Sequence, residues 1–137
     1  MKIVLDSNIL ISAFIKDSLV RKIIFDSGFK FYHPKKSLDN LNKYKELILT
    51  KSEISTDDYD ELYKIIFEKI VIVDEESYLD KLEEAKDIMS SIDIEDVPFI
   101  ALALSIKDSI IWSEDKHFEK QDKIKIMKTD DMNNLVD

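Results

Sequence analysis

Lys2-Ile3-Val4-Leu5-Asp6 sets a short apolar run against a carboxylate, and the arrangement returns in two places late in the chain. Asp93-Ile94-Glu95-Asp96 opens the apolar segment 97–106, and Glu114-Asp115 closes the run Ile110-Ile111-Trp112. Short apolar runs rich in β-branched or aromatic residues are typical of buried parallel strands. Similar runs at 29–32, 70–73, 109–112 and 124–127 are read as further strands.

Helical spacing fills the intervals. Ser55-Thr56-Asp57-Asp58 has the form of an N-terminal cap, followed by Tyr59, Leu62, Tyr63, Ile66 and Ile70 on one face. Tyr78, Leu82, Ala85 and Met89 form a second stripe, and residues 35–50 a third helical stretch around Leu38, Leu41 and Ile48. Pro98 falls in the first turn after Asp96, where a missing N–H costs nothing. Between Asp6 and Gly28 the pattern is helical, with a break expected near Lys16-Asp17-Ser18. Strands alternating with helices imply a parallel sheet covered on both faces.

In such sheets, sites form beyond the carboxyl ends of the strands. Asp6 and Asp115 fall just past strand ends, and Asp96 opens a helix. Each has a structural alternative, because Asp is a favoured N-cap and could simply start a helix at position 6 or 96. Three acids in equivalent topological settings favour a shared site instead. Oxygen-only ligands suit a hard divalent cation, so a magnesium- or manganese-dependent hydrolase of phosphodiesters is the first hypothesis.

Composition narrows the alternatives. The 137 residues suit a single domain spanning 1–137, and 45% hydrophobic with 36% charged residues describes a globular chain rather than a disordered one. The longest apolar stretch is about half a membrane span, and the N-terminus lacks a signal-peptide layout. With no cysteine there is neither a disulfide framework nor a thiolate metal site, and a cytoplasmic location is expected. The net charge of −9 argues against a protein that coats nucleic acid electrostatically. It leaves room for a local basic rim, and Lys35, Lys36, Lys43, Lys45 and Lys51 cluster, although such charge runs usually mean a solvated helix face.

These residues resemble a known family. Ile3-Val4-Leu5-Asp6-Ser7-Asn8-Ile9-Leu10-Ile11 looks like the first motif of PIN domains, and Asp93-Ile94-Glu95-Asp96-Val97-Pro98-Phe99-Ile100-Ala101-Leu102-Ala103-Leu104 like their third acidic motif. Trp112-Ser113-Glu114-Asp115-Lys116-His117-Phe118 looks like the last. The resemblance implies a three-layer α/β/α fold with a central, mostly parallel sheet. It further implies a Mg2+- or Mn2+-dependent ribonuclease, often a homodimer and often the toxin of a toxin–antitoxin pair. By the same resemblance Asp6, Asp96 and Asp115 are the metal-binding, catalytic acids, with Asn8 and Ser113 as polar support. The expected partners are single-stranded or structured RNA and an antitoxin protein, and no membrane.

One position departs from the family pattern. Such domains usually carry a glutamate six residues after a proline like Pro34, and here that residue is Asn40. An amide oxygen can ligate a hard cation but brings no charge. Asp39 is adjacent, yet one step along a helix turns a side chain by about 100°. The alternatives are a weaker metal site, or one in which Asp39 reaches in through altered geometry. The rival to an active nuclease is therefore a weakened or inactive PIN-like module that binds RNA or protein.

The other residues give less. His33 and His117 are the only histidines and lie far apart in sequence, which disfavours a histidine-based zinc site; His117 reads as a surface residue of the Asp115-to-Phe118 turn, with contact to a phosphate as the alternative. Lys116 either neutralises the acids or meets nucleic acid, as Lys35, Lys36 and Lys43 would on the rim. A haloacid-type phosphatase would need a second Asp where Asn8 stands, and a receiver domain would need an acidic pair near the first strand that is absent.

Overall fold

The runs read as strands assemble into one sheet in the computed structural model, which describes residues 1–15, 18–89 and 93–136. β1 (Lys2–Leu5), β2 (Lys30–Pro34), β3 (Ile70–Val73), β4 (Ser109–Trp112) and β5 (Ile126–Met127) are all parallel, in the order β3-β2-β1-β4-β5. β1 is central, with Lys2 opposite both Lys30 of β2 and Ser109 of β4. The chain builds outward from β1 to β3, then crosses back to the other side of β1 at β4. Such a reversal leaves a crevice beyond the carboxyl ends of the two strands that flank it.

Helices cover both faces, because alternate strand residues point to opposite sides. One face carries α1 (Ser7–Ser12), α2 (Leu19–Asp26), α3 (Leu38–Lys43), α4 (Lys45–Ser52), α5 (Thr56–Phe67) and, after β5, α8 (Thr129–Leu135). Their Ile9, Ile24, Ile48, Ile66 and Met132 pack with Ile3, Leu5, Phe31, Ile70 and Trp112 of the sheet. The other face carries α6 (Leu82–Met89) and α7 (Val97–Ser105), whose Ala85, Met89, Ile100 and Ala101 pack with Val4 and Ile111. The result is a three-layer α/β/α domain. In α7 every residue from Val97 to Ala103 except Pro98 is buried, and the small Ala101 and Ala103 are 0% and 2% exposed, as close seating on the sheet requires.

Local chemistry explains where the elements differ from the expected ones. Gly28, at φ +72°, ends the chain segment after α2 in a conformation that suits glycine. The Ser27 hydroxyl then accepts the Phe29 N–H at 3.2 Å, so β2 starts at Lys30 and runs on to Pro34. β5 is shortened because Gln121 captures both ends of Ile124: its Oε1 accepts the Ile124 N–H at 2.9 Å and its Nε2 donates to the Ile124 carbonyl at 2.8 Å. The single helix expected over 35–50 is a 3-10 turn (Lys35–Ser37) followed by α3 and α4, separated at Tyr44. Tyr78, Ala85 and Met89 of the second stripe are buried and Leu82 is half-buried against them, but Tyr78 lies in a 3-10 segment, Glu75–Lys81, with α6 beginning only at Leu82. Of the break expected near Lys16-Asp17-Ser18, Lys16 and Asp17 lie outside the described residues; Ser18 caps α2 by accepting the Arg21 N–H at 3.1 Å.

Candidate active site

Leu5 and Trp112 are register partners, so Asp6 and Ser113 leave the sheet side by side. The Asp6 N–H continues the pairing by donating to the Trp112 carbonyl at 3.2 Å. Asp6 Oδ1 accepts the Ile9 N–H at 2.8 Å and caps α1, while Oδ2 accepts the Ser113 hydroxyl. Ser113 Oγ in turn accepts the Asp115 N–H at 2.9 Å, and Asp115 Oδ1 accepts the His117 N–H at 2.9 Å. The two readings of Asp6 are thus compatible, because one oxygen holds the helix and the other is tied to the turn after β4. Below them, His33 Nδ1 donates to the Leu5 carbonyl at 2.8 Å, fastening β2 to β1. Burial pushes that imidazole down to about 4, so it is neutral at physiological pH.

Asp96 has the N-cap position of α7, yet its side chain makes no capping bond. It is buried, and its Oδ2 has no hydrogen-bond partner among the described residues. Capping alone therefore does not account for Asp96. Asp93, by contrast, uses Oδ1 to accept the Glu95 N–H at 2.9 Å, which folds the turn before α7. The half-exposed His117 ring then lies against three acids, with Nδ1 3.5 Å from Asp93 Oδ2, 3.4 Å from Asp96 Oδ2 and 3.5 Å from Asp115 Oδ1.

These acids share a cavity of about 170 Å³ at the β1/β4 crevice, lined by Asp6, Asp93, Glu95, Asp96 and Asp115. Ser7, Asn8 and Asn40 add neutral polar groups, and Tyr44 stands at its margin; among the described residues no lysine or arginine lines it. The electrostatic cost is visible in two groups. Burial pushes the Asp6 carboxyl up to about 6, with the nearby Asp115 charge adding to the rise and the Ser113 and Ile9 donors opposing it. Burial likewise pushes Asp96 up to about 6, with Asp93 and Asp115 adding to the rise and His117 opposing it.

The remaining expected residues are distributed around this cavity. Asn40 reaches it and donates through Nδ2 to the Ser7 hydroxyl at 3.0 Å. Asp39 is exposed and lines a neighbouring depression with Lys36, Lys43 and Glu95 rather than this cavity. Lys35 pairs with Asp74 at 3.5 Å and Lys36 with Glu75 at 3.4 Å, both on the surface. Lys116 is exposed in the turn after Asp115. His117, Asp93 and Tyr44 join the site without having been singled out for it in the sequence. Asp93 and His117 carried a signal there, as the first acid of the Asp93-to-Asp96 motif and as a residue of the Trp112-to-Phe118 motif; Tyr44 carried none.

An acidic crevice at the switch of a parallel α/β/α sheet places the chain among doubly wound α/β proteins with carboxylates gathered at the strand ends. The particular family follows from the match of a PIN domain family model to residues 4–135. The chain belongs to the PIN domain family, whose members are generally nucleases and often components of toxin–antitoxin systems. No curated protein matches the chain.

Proposed function

We propose that this protein is a divalent-metal-dependent endoribonuclease, using Mg2+ or Mn2+. The observation that carries the reading is the cavity itself: five carboxylates converge there with no lysine or arginine, and the shielded Asp96 Oδ2 has no partner among the described residues. Burying like charges so close together is unfavourable unless a cation offsets them. The donor set therefore fits a hard divalent ion, and Asp6, Asp96 and Asp115 would hold it. When bound, such an ion polarises phosphoryl oxygens and lowers the pKa of water.

The chain's own residues prepare that chemistry. Asp6 is fixed at both oxygens by the Ile9 N–H and the Ser113 O–H, so little side-chain order remains to be acquired when ligand arrives. Ser113 links Asp6 to the Asp115 backbone and keeps the ends of β1 and β4 in step. Asn8, Asn40 and Ser7 offer neutral donors and acceptors to a phosphodiester without adding repulsion. Tyr44, 45% exposed at the margin, presents a ring on which an unpaired base can stack, which supports single-stranded RNA as substrate.

A second reading is supported by Asn40, whose amide is neutral where a glutamate is usual and is bonded to Ser7. A site short of one charge binds its cation more weakly, and the limiting case is an RNA- or protein-binding module without chemistry. Asn40→Glu is expected to raise Mn2+ affinity by about tenfold, roughly 1.4 kcal/mol, because a charged ligand replaces a neutral one. RNA cleavage should rise with it. Manganese calorimetry alongside cleavage of a single-stranded RNA checks both, and a parent and variant inert with every divalent ion would favour the binding module.

RNA binding should draw on the rim lysines. The Lys35–Asp74 and Lys36–Glu75 pairs are exposed, and such pairs contribute about 0–1 kcal/mol, so phosphate can displace the acids. Substituting Lys35, Lys36 and Lys43 together by Ala should weaken RNA binding and flatten the log–log salt dependence by about 2, as expected for three lost phosphate contacts. An unchanged slope would make this cluster a solvated face. The same reading includes a homodimer and an antitoxin partner, tested by the solution mass and by a small DNA-binding protein encoded beside the gene.

A further inference from the structure

We propose that Asp93 and Asp96 of the cavity, with His117 beside them, form a nitrogen-bearing cation subsite that selects transition-metal ions such as Mn2+ over Mg2+. It rests on the reading of the cavity as a divalent-cation site and adds a histidine to what would otherwise be an all-oxygen set. One ligand atom from each of the three residues lies within 4.8 Å of the others. His117 Nδ1 is 3.5 Å from Asp93 Oδ2 and 3.4 Å from Asp96 Oδ2. Neighbouring ligands of one transition-metal ion stand roughly 3–3.5 Å apart when each is about 2.1 Å from the metal.

Two further observations point to a ligand rather than to an internal ion pair. Asp96 is only 8% exposed, and its Oδ2 is shielded without any hydrogen-bond partner among the described residues. His117 Nδ1 is shielded and unpartnered in the same sense, although Asp96 Oδ2 is its neighbour. A donor and acceptor meant for one another would close to a hydrogen bond of about 2.7–2.9 Å. The rest of each residue is already committed: Asp93 Oδ1 to the Glu95 N–H, and the His117 backbone N–H to Asp115 Oδ1. Those bonds fix the residues while leaving Asp93 Oδ2 and the His117 ring nitrogen facing Asp96.

Selectivity follows from ligand chemistry. Mg2+ takes oxygen donors almost exclusively, whereas Mn2+, although it also suits carboxylates, is a first-row transition ion and accepts an imidazole nitrogen more readily. His117 should therefore contribute to Mn2+ binding and scarcely to Mg2+ binding. A histidine acting only as a counter-cation would do the reverse, since its removal would free the acids and strengthen both ions alike.

Pulsed EPR of Mn2+ bound to the intact wild-type protein tests the subsite without recourse to activity. Nitrogen coupling characteristic of a ligated imidazole is expected, and it should vanish in His117→Ala and His117→Gln. Calorimetry on the same proteins should show Mn2+ affinity reduced tenfold or more by either substitution, with Mg2+ affinity changed by less than about threefold. Saturable Mn2+ binding with no nitrogen coupling in the wild type would overturn this subsite and leave the carboxylate site standing. Equal gains in Mn2+ and Mg2+ affinity on removing His117 would overturn it in favour of the counter-cation role. Absence of any cation binding to the folded wild type would overturn both the subsite and the reading beneath it.

Discussion

Asp6→Asn is expected to lower metal-dependent RNA cleavage by about 1,000-fold or more while making the metal-free protein more stable at neutral pH. On the proposed reading the loss follows because the substitution removes a charge from the cation site, and a bound cation would supply several kcal/mol of transition-state stabilisation. The gain follows from the same geometry. Asp6 is buried among other acids, and its carboxyl is pushed up to about 6. Holding that group ionised at neutral pH thus costs on the order of 1–3 kcal/mol. An amide keeps the cap, since its oxygen still accepts the Ile9 N–H, and its nitrogen can donate to Ser113 once that hydroxyl turns. Urea unfolding in EDTA and a fluorogenic RNA assay read the two effects separately. A variant that is both inactive and destabilised would mean that Asp6 serves chiefly as the helix cap.

Mn2+ is expected to raise the melting temperature of the wild type on the order of 10 °C at one hundred times its dissociation constant, and to do so more strongly at pH 7.5 than at pH 5.5. Saturation of that order stabilises by about 2.7 kcal/mol. The pH dependence comes from Asp6 and Asp96, both pushed up to about 6 by burial. Their folded values lie above the unfolded carboxylate value near 3.8, so the native state holds extra protons between about pH 4 and 6. Without metal, these two groups make the fold less stable as pH rises through that window. His33 acts in the opposite sense, because it stays neutral in the fold down to about 4 while the unfolded chain takes up a proton below about 6.5. The metal-free stability should therefore fall as pH rises from about 4 to 6, with His33 offsetting roughly half of the loss from the two acids. Cation binding requires ionised carboxylates, so it releases protons at pH 5.5 and weakens there. Differential scanning fluorimetry at both pH values, with and without Mn2+, checks the prediction.

Much of the fold was legible because its strands are short, continuous apolar runs. β1, β3 and β4 stand where Lys2, Ile70 and Ser109 begin such runs. What the runs do not encode are side-chain bonds that override them: Gln121 takes Ile124 out of β5, and Ser27 takes Phe29 out of β2. The acids Asp6, Asp96 and Asp115 were legible from their places at strand ends and helix starts. His117 was not, because its approach to Asp93 and Asp96 depends on the turn after β4 folding against the turn before α7. Spacing along the chain carries no trace of that meeting. Tyr44 was missed for a related reason, since it breaks a stretch read as one helix and so stands at the cavity margin. Nor could the sequence pair Lys35 and Lys36 with Asp74 and Glu75, which the pairing of β2 with β3 brings alongside.

The carboxylate cavity is proposed to be a cation site used for RNA cleavage. Manganese titration calorimetry of the wild type at pH 7.5, paired with RNA cleavage over the same concentrations, tests that directly. Saturable binding is expected, with cleavage that rises with occupancy and loss of both in Asp115→Asn, a partly exposed position where the fold should be retained. A folded wild type that binds neither Mn2+ nor Mg2+, or that cleaves RNA equally well in EDTA, would contradict it.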